Sequence, residues 1–380
     1  MIYLDNAATT KMAPEVVEAM TPYFTEYYGN PGTVYALGAK SKRGIREARE
    51  TIAGSLGASP EEIYFTAGGS ESDNWALKAT AEAYREKGKH IITSRIEHHA
   101  ILHTCEYLEQ QGYEVTYLDV DADGVVTPEE VEAAIRPDTI LISIMFANNE
   151  IGTIEPIAEI GKIAKEHGIV FHTDAVQAYG QLPINVDELQ IDLLSASGHK
   201  LNGPKGTGFL YIRKGLKLRS FIHGGAQERS RRAGTENVPG IVGLGAAAAR
   251  AVRIMEEKTK KEIALRDYLI GRIESEIPDC RLNGHRTNRL PNNVNFVFAG
   301  VEGESLLILL DMKEICAAGG SACTTGSLDP SHVLLALGLA REEARGALRL
   351  TLSEENTKEE LDIVVDYLKE TVERLRNMTI

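Results

Sequence analysis

Between Ser195 and Gly208 the chain reads SASGHKLNGPKGTG. Lys200 stands just after an apolar, strand-like run and a Ser-Gly-His lead-in. Gly203, Pro204, Gly206 and Gly208 then favour tight turns over helix. A lysine in such a place is either a solvated loop charge or an amine kept for chemistry. Upstream, FHTDAVQAYG closes another apolar run on Asp174. An amine that forms a Schiff base and a carboxylate that pairs with a pyridinium nitrogen are what a pyridoxal phosphate site requires.

Other polar residues fall into short, well-spaced motifs. In TAGGSESDN, Gly68 and Gly69 let backbone amides converge, Ser70 can cap a helix, and a helix N-terminus favours an anion. That piece is a phosphate seat or an ordinary strand-to-helix turn. In RIEHHA, His98 offers a ring for stacking; in ANNEIG, Asn149 offers a hydrogen bond to a ring hydroxyl. Gln177 follows Asp174 by three residues, and His199 adjoins Lys200 as a further phosphate contact. Isolated polar residues such as His98, Asn149 and Gln177 are more often satisfied loop groups. GGAQERSRRAGTEN sets Arg229, Arg231 and Arg232 into an acidic chain, either as a solvated loop or as an anion or interface loop that also presents Thr235. Cys323 lies among glycine, serine, alanine and threonine, a run poorly able to bury a thiol, which favours a reactive role. Cys316, after an apolar run, reads as buried; Cys105 and Cys280 carry no assigned role.

The elements that must hold these residues alternate strand and helix over the first two-thirds of the chain. EIYFT, HIITS, EVTYLDV, TILISIMF and IVFHTDA each precede a helical or loop stretch, which predicts an α/β domain with a mostly parallel sheet. Functional loops then belong beyond the carboxyl ends of the strands, where every motif above falls. From Pro239 onward a long helix or helix pair, NNVNFVF, SLLILLD and a closing helix predict a smaller α+β domain. A length of 380 residues accommodates two domains, and a formal charge of -14 argues against direct nucleic-acid binding. No apolar stretch reads as long enough to span a membrane. The N-terminus lacks a signal-peptide pattern, and four cysteines lack disulfide or zinc spacing, so a cytoplasmic protein with reduced thiols is expected.

The motifs LDNAATT, GNP, GGSES, EHH, NNEIG, HTDAVQ, SGHK with GPKG, AGTEN, LPNNVNF, GSAC with PSHVL, and LRLTL occur in this order from end to end. In that respect the chain resembles the cysteine desulfurases of the NifS/IscS type, in the branch with the longer Cys loop. The resemblance implies a homodimeric fold-type I pyridoxal phosphate enzyme. Its large domain, residues 14–257, holds a mostly parallel seven-stranded sheet between helices; residues 1–13 and 258–380 form the small domain. It also implies Lys200 as the Schiff-base lysine, Asp174 on the pyridinium nitrogen and His98 stacked on the ring. Asn149 and Gln177 fall on the hydroxyl side, while Gly69, Ser70, Ser197 and His199 surround the phosphate, with Thr235 reaching it from a second subunit. Asn30 and Arg349 match positions that hold the substrate carboxylate. Cys323 matches the persulfide-forming nucleophile and is the one candidate ligand for an iron–sulfur cluster. The implied reaction takes sulfur from L-cysteine, leaves alanine, and passes sulfur to an iron–sulfur scaffold or a tRNA-thiolation protein.

The chain departs from the family pattern after Gly29-Asn30-Pro31. Two serines and then a histidine are common there, and this chain has Gly32, Thr33 and Tyr35; Ser70 stands where threonine is frequent. Other readings are a different pyridoxal enzyme, such as a selenocysteine lyase or transaminase, and a non-catalytic sulfur-delivery partner. The Cys323 loop speaks against the first, and intact Lys200 and Asp174 speak against the second.

Overall fold

A computed structural model describes residues 1–320 and 330–378. Its strands are β1 (Ile2–Tyr3), β2 (Ile63–Thr66), β3 (His90–Ser94), β4 (Glu114–Leu118), β5 (Thr139–Ser143), β6 (Val170–Asp174), β7 (Leu193–Ser197), β8 (Gly208–Ile212), β9 (Cys280–Leu282), β10 (Asn293–Phe298), β11 (Ile315–Cys316) and β12 (Ala347–Thr351). Seven of them form one sheet in the order β2-β8-β7-β6-β5-β3-β4. All run parallel except β8, which is antiparallel to both neighbours. The expected mostly parallel seven-stranded sheet is therefore present. β3, β5, β6 and β7 are buried along their whole length, as strands covered on both faces must be, which is why they read as unbroken apolar runs.

One face of the sheet is covered by the helix Gly69–Tyr84, which buries Trp75, Ala76 and Leu77 against it. On the other face, Ile142, Phe171, Leu194 and Phe209 pack with the helix Ala36–Leu56 and the N-terminal half of Val238–Glu276. Those two helices approach closely because their facing residues are small. A Cβ on Gly245 would sit 2.6 Å from the Cβ of Ala48. A second apolar core joins Leu265, Leu269 and Ile273 to β10, β12 and the closing helix Lys358–Met378.

Val238–Glu276 is a single 39-residue helix that contributes to both cores, so the expected division at residues 257 and 258 falls inside one continuous element. This helix also corrects the reading that no apolar stretch is long enough to cross a membrane. By length and composition it is, and half of its apolar window is buried inside the protein.

The N-terminal segment belongs with the C-terminal elements. β1 pairs with β11, and Asn6 donates to the Thr351 carbonyl at 2.9 Å. From there the chain crosses to the large sheet, where the Thr10 amide donates to the His199 carbonyl at 2.9 Å. Residues 5–10 are thus laid directly over the turn that carries Lys200.

Candidate active site

The carboxyl ends of the parallel strands open into a cleft. Gly69 and Ser70 follow β2, His98 follows β3, and Asn149 follows β5. Asp174 ends β6, while Ser197, His199 and Lys200 end or follow β7. Together with Gln177 and Arg349, all of these line the cleft. This is where the topology puts a ligand in an open α/β sheet.

Lys200 sits in a short 3-10 turn, Gly198–Lys200, and its Nζ donates to the carbonyl oxygen of Ala8 at 2.8 Å and to that of Ala7. The Gln177 Nε2 also donates to Ala7, at 3.0 Å. Backbone carbonyls of the N-terminal segment thus fix both side chains. Asp174 is 5 % exposed, and its Oδ1 accepts from the Val176 amide at 2.9 Å. Burial raises its pKa, while that amide and the charge of Lys200 act in the opposite direction. His98 is the N-cap of the helix His99–Gln110, its Nδ1 accepting from the Ala100 amide at 3.1 Å. Burial first, and the Lys200 charge second, push its pKa down to about 4. The ring is therefore neutral near pH 7 and presents a flat wall to the cleft.

An adjoining cleft of about 870 Å³ shares Gly69, Ser70, Ser197 and His199 and adds Thr9, Gly68 and Lys205. The helix Gly69–Tyr84 begins here, with Gly68 at φ +149°, so its first amides and the helix dipole favour an anion. A Cβ on Gly69 would meet the Val176 Cγ2 at 2.6 Å. His199, held to the Thr9 hydroxyl at 3.1 Å, has its pKa pushed to about 4, chiefly by burial. It therefore meets an anion as a neutral hydrogen-bonding group. An amine, a buried carboxylate, a flat ring wall and an anion seat are a donor set that fits pyridoxal phosphate.

Arg349 closes the far wall. It is 1 % exposed, pairs with Asp5 at 2.9 Å and donates to the Asn149 carbonyl at 3.0 Å. Its Nε has no partner among the described residues. A buried guanidinium in this state can receive a carboxylate at low desolvation cost, since most of that cost is already met by Asp5.

Two expected residues lie apart from this cleft in the single chain. Asn30 is exposed and occupied locally, its Oδ1 accepting from the Gly32 amide at 2.9 Å. Thr235 is exposed on the loop before the long helix. Cys323 lies outside the described residues. Cys316 is half-buried on the short β11 rather than fully buried, because that strand pairs only with β1. Two arginines of the 224–237 loop have partners: the half-buried Arg232 pairs with Glu71 at 2.8 Å, and the exposed Arg229 lies 4.1 Å from the Tyr64 ring centroid.

Sequence reasoning missed Asp73, Ala7 and Ala8, all of which line the cleft. Ala7 and Ala8 act through carbonyl oxygens, which leave no side-chain signature. Asp73 reads as an ordinary acid near a helix start, and only the helix's contact with the sheet makes it a buried group.

The seven-stranded sheet, with a lysine beyond β7 and a carboxylate at the end of β6, is that of a fold-type I transferase. The chain belongs to the Aminotransferase class-V family, which it matches over residues 2–364. It is 60% identical over 378 residues to "Cysteine desulfurase IscS" of Methanosarcina thermophila, covering 100% of this chain and 93% of that protein. Among solved structures it is similar to a "NifS-like protein" with a TM-score of 0.92 and 39% identity, covering 98% of this chain and 99% of the other. It is also similar to "SspA in complex with cysteine", with a TM-score of 0.83 and 40% identity, covering 94% and 100% of the two chains.

Proposed function

We propose that the protein is a pyridoxal phosphate-dependent cysteine desulfurase, a sulfurtransferase that converts L-cysteine to L-alanine and keeps the sulfur as a persulfide on Cys323. The observation that carries this is the convergence of Lys200, Asp174, His98 and Arg349 on one cleft, in a chain similar along its whole length to proteins of that name. Pyridoxal phosphate, when bound, supplies an electron sink that weakens the bonds at the substrate's α-carbon.

The chain's own residues do the rest. Gly69, Ser70, Ser197 and His199 seat the phosphate at the helix N-terminus, and Thr235 of a second subunit adds to that seat. Asp174 would hold the ring nitrogen by charge, His98 would cover one ring face, and Asn149 and Gln177 would border the ring hydroxyl. The Arg349 guanidinium receives the substrate carboxylate. The Lys200 amine would hold the cofactor covalently, and its Nζ is the base placed to take the substrate's Cα proton. The Cys323 thiolate attacks the substrate sulfur. A Cβ–S bond breaks, an S–S bond forms, and the thiol proton and the Cα proton balance the alanine that leaves.

The working unit is a homodimer in the cytoplasm. Its persulfide supplies an iron–sulfur scaffold or another sulfur-acceptor protein, and Cys323 can then serve as a cluster ligand during delivery. Residues 14–257 carry the cofactor, and residues 1–13 with 258–380 carry the thiol. The test is incubation with L-cysteine and a reductant, following sulfide and alanine together. Equal amounts of the two are expected. Pyruvate and ammonia, or keto-acid exchange without sulfide, would replace this reading with a different pyridoxal chemistry.

A further inference from the structure

Beside Asp174 in the wall of the cleft lies a second buried carboxylate. Asp73 projects from the helix Gly69–Tyr84 onto the sheet and is 1 % exposed. One side-chain ligand atom each of Asp73, His98 and Asp174 lie within 4.8 Å of one another. The strand period places His172 on the same face of β6 as Asp174. His172 Nδ1 is bonded to the Ser143 Oγ at 2.9 Å, and its Nε2 to the Ser195 Oγ at 3.0 Å. Both serines stand in register on the flanking strands, Ser143 opposite His172 and Ser195 opposite Asp174. His172 Nε2 is also 3.7 Å from Asp73 Oδ1, which has no hydrogen-bond partner among the described residues.

Two carboxylates sharing so dry a space cannot both ionise; one keeps a proton. The surroundings decide which. Asp174 accepts a backbone amide and faces the Lys200 charge, both of which favour its anion. Asp73 faces Asp174, the buried Glu97, His98 and His172. Both histidines are neutral, because burial lowers their pKa values to about 4 and about 3. Nothing cationic among these neighbours compensates an anion on Asp73; burial first, and the Asp174 charge second, raise its pKa well above the usual carboxylate range, and the Ser195 hydroxyl acts in the opposite direction.

We propose that Asp73 is the positioning acid of this site, holding a proton so that Asp174 alone carries negative charge toward the cleft. The inference rests on the reading of Asp174 as the residue that faces a bound pyridine nitrogen. Asp73 acts through Asp174, and the His172–Ser195 pair fixes the polar floor between them.

Infrared spectroscopy of the holoenzyme at pH 8, with the aspartate side-chain carbon isotopically labelled, tests this. The label separates Asp73 from the buried glutamates. A labelled protonated-acid carbonyl band is expected in the unmodified protein. It should vanish in Asp73→Asn and persist in Asp174→Asn. Asp73→Asn should change cofactor affinity by less than about 3-fold, whereas Asp174→Asn should weaken it by on the order of 10- to 100-fold. The absence of a labelled acid band, its persistence in Asp73→Asn or its loss in Asp174→Asn would overturn the proposal. Should Asp73→Asn not fold, the band in the unmodified protein and in Asp174→Asn decides the matter. A band present in a protein that makes no alanine or sulfide would strike the functional reading and leave the proton on Asp73.

Discussion

The Lys200 ammonium donates to the carbonyl oxygen of Ala8 at 2.8 Å, across 192 positions of sequence. The amine that the site depends on is thus oriented by the chain's own N-terminus, which is anchored in turn to β11 and to Thr351. The cleft is complete only when both ends of the chain are in place, and this couples cofactor chemistry to folding of the C-terminal elements.

Lys200→Ala is expected to abolish desulfurase turnover and, in the cofactor-free protein, also to loosen residues 5–10. It removes the hydrogen bonds to Ala7 and Ala8, each worth about 1 kcal/mol net, or 1.5–3 kcal/mol for a charged donor. Hydrogen exchange at the Thr10 amide, which donates to the His199 carbonyl, reads the loosening. Unchanged protection there would show that the segment docks without the lysine.

Arg349→Met should destabilise the protein by roughly 1–3 kcal/mol, because it leaves the part-exposed Asp5 without its partner in the wall of the cleft. Denaturant titration measures this. Arg349→Lys keeps the charge but loses the planar fork, so a higher KM for L-cysteine with a milder stability loss is expected. Equal KM values for Arg349→Lys and the unmodified protein would remove the carboxylate assignment.

How much of this site was legible from sequence depended on the kind of group. Lys200, Asp174 and His98 were legible because each closes a buried parallel strand or opens the helix after it, and unbroken apolar runs make those boundaries visible. The seat at Gly69 and Ser70 was legible as glycine followed by a helix start. Asp73 was not, since its burial comes from the docking of Gly69–Tyr84 on β6 and β7, a tertiary fact. The single helix Val238–Glu276 bridges two cores without a break in composition, so no signal marked where one packing environment gives way to the next.

Glu262 gives a pH dependence that is independent of catalysis. It lies fully buried on that helix, 3.9 Å from Lys258, and burial raises its pKa to about 7 despite the lysine. A carboxyl whose folded pKa exceeds its unfolded value stabilises the native state below the unfolded value. That stability is lost as pH climbs from about 4.5 through about 7. Glu262→Gln should therefore gain stability over the parent at pH 8, by up to about 3 kcal/mol, and lose that advantage near pH 5. Parallel stability curves for the two proteins would contradict it.

Ser331 caps the helix His332–Ala336 and donates from its Oγ to Glu150 Oε2 at 2.5 Å. Ser331→Ala removes the cap and leaves a buried carboxylate short of a donor, at a cost of about 1–3 kcal/mol. Thermal unfolding monitors the loss, and Ser331→Thr should recover most of it. A Ser331→Ala protein as stable as the parent would show that Glu150 is satisfied elsewhere.

The most direct test of the central claim is to find where the sulfur goes. The protein is mixed with L-cysteine without reductant, trapped with an alkylating agent, and its cysteine peptides are weighed. One added sulfur on the peptide containing Cys323, with one alanine released per chain, is the expected result; Cys323→Ala should give neither while still binding L-cysteine. Sulfur on the peptide of Cys105, Cys280 or Cys316, or normal alanine release by Cys323→Ala, would contradict the account.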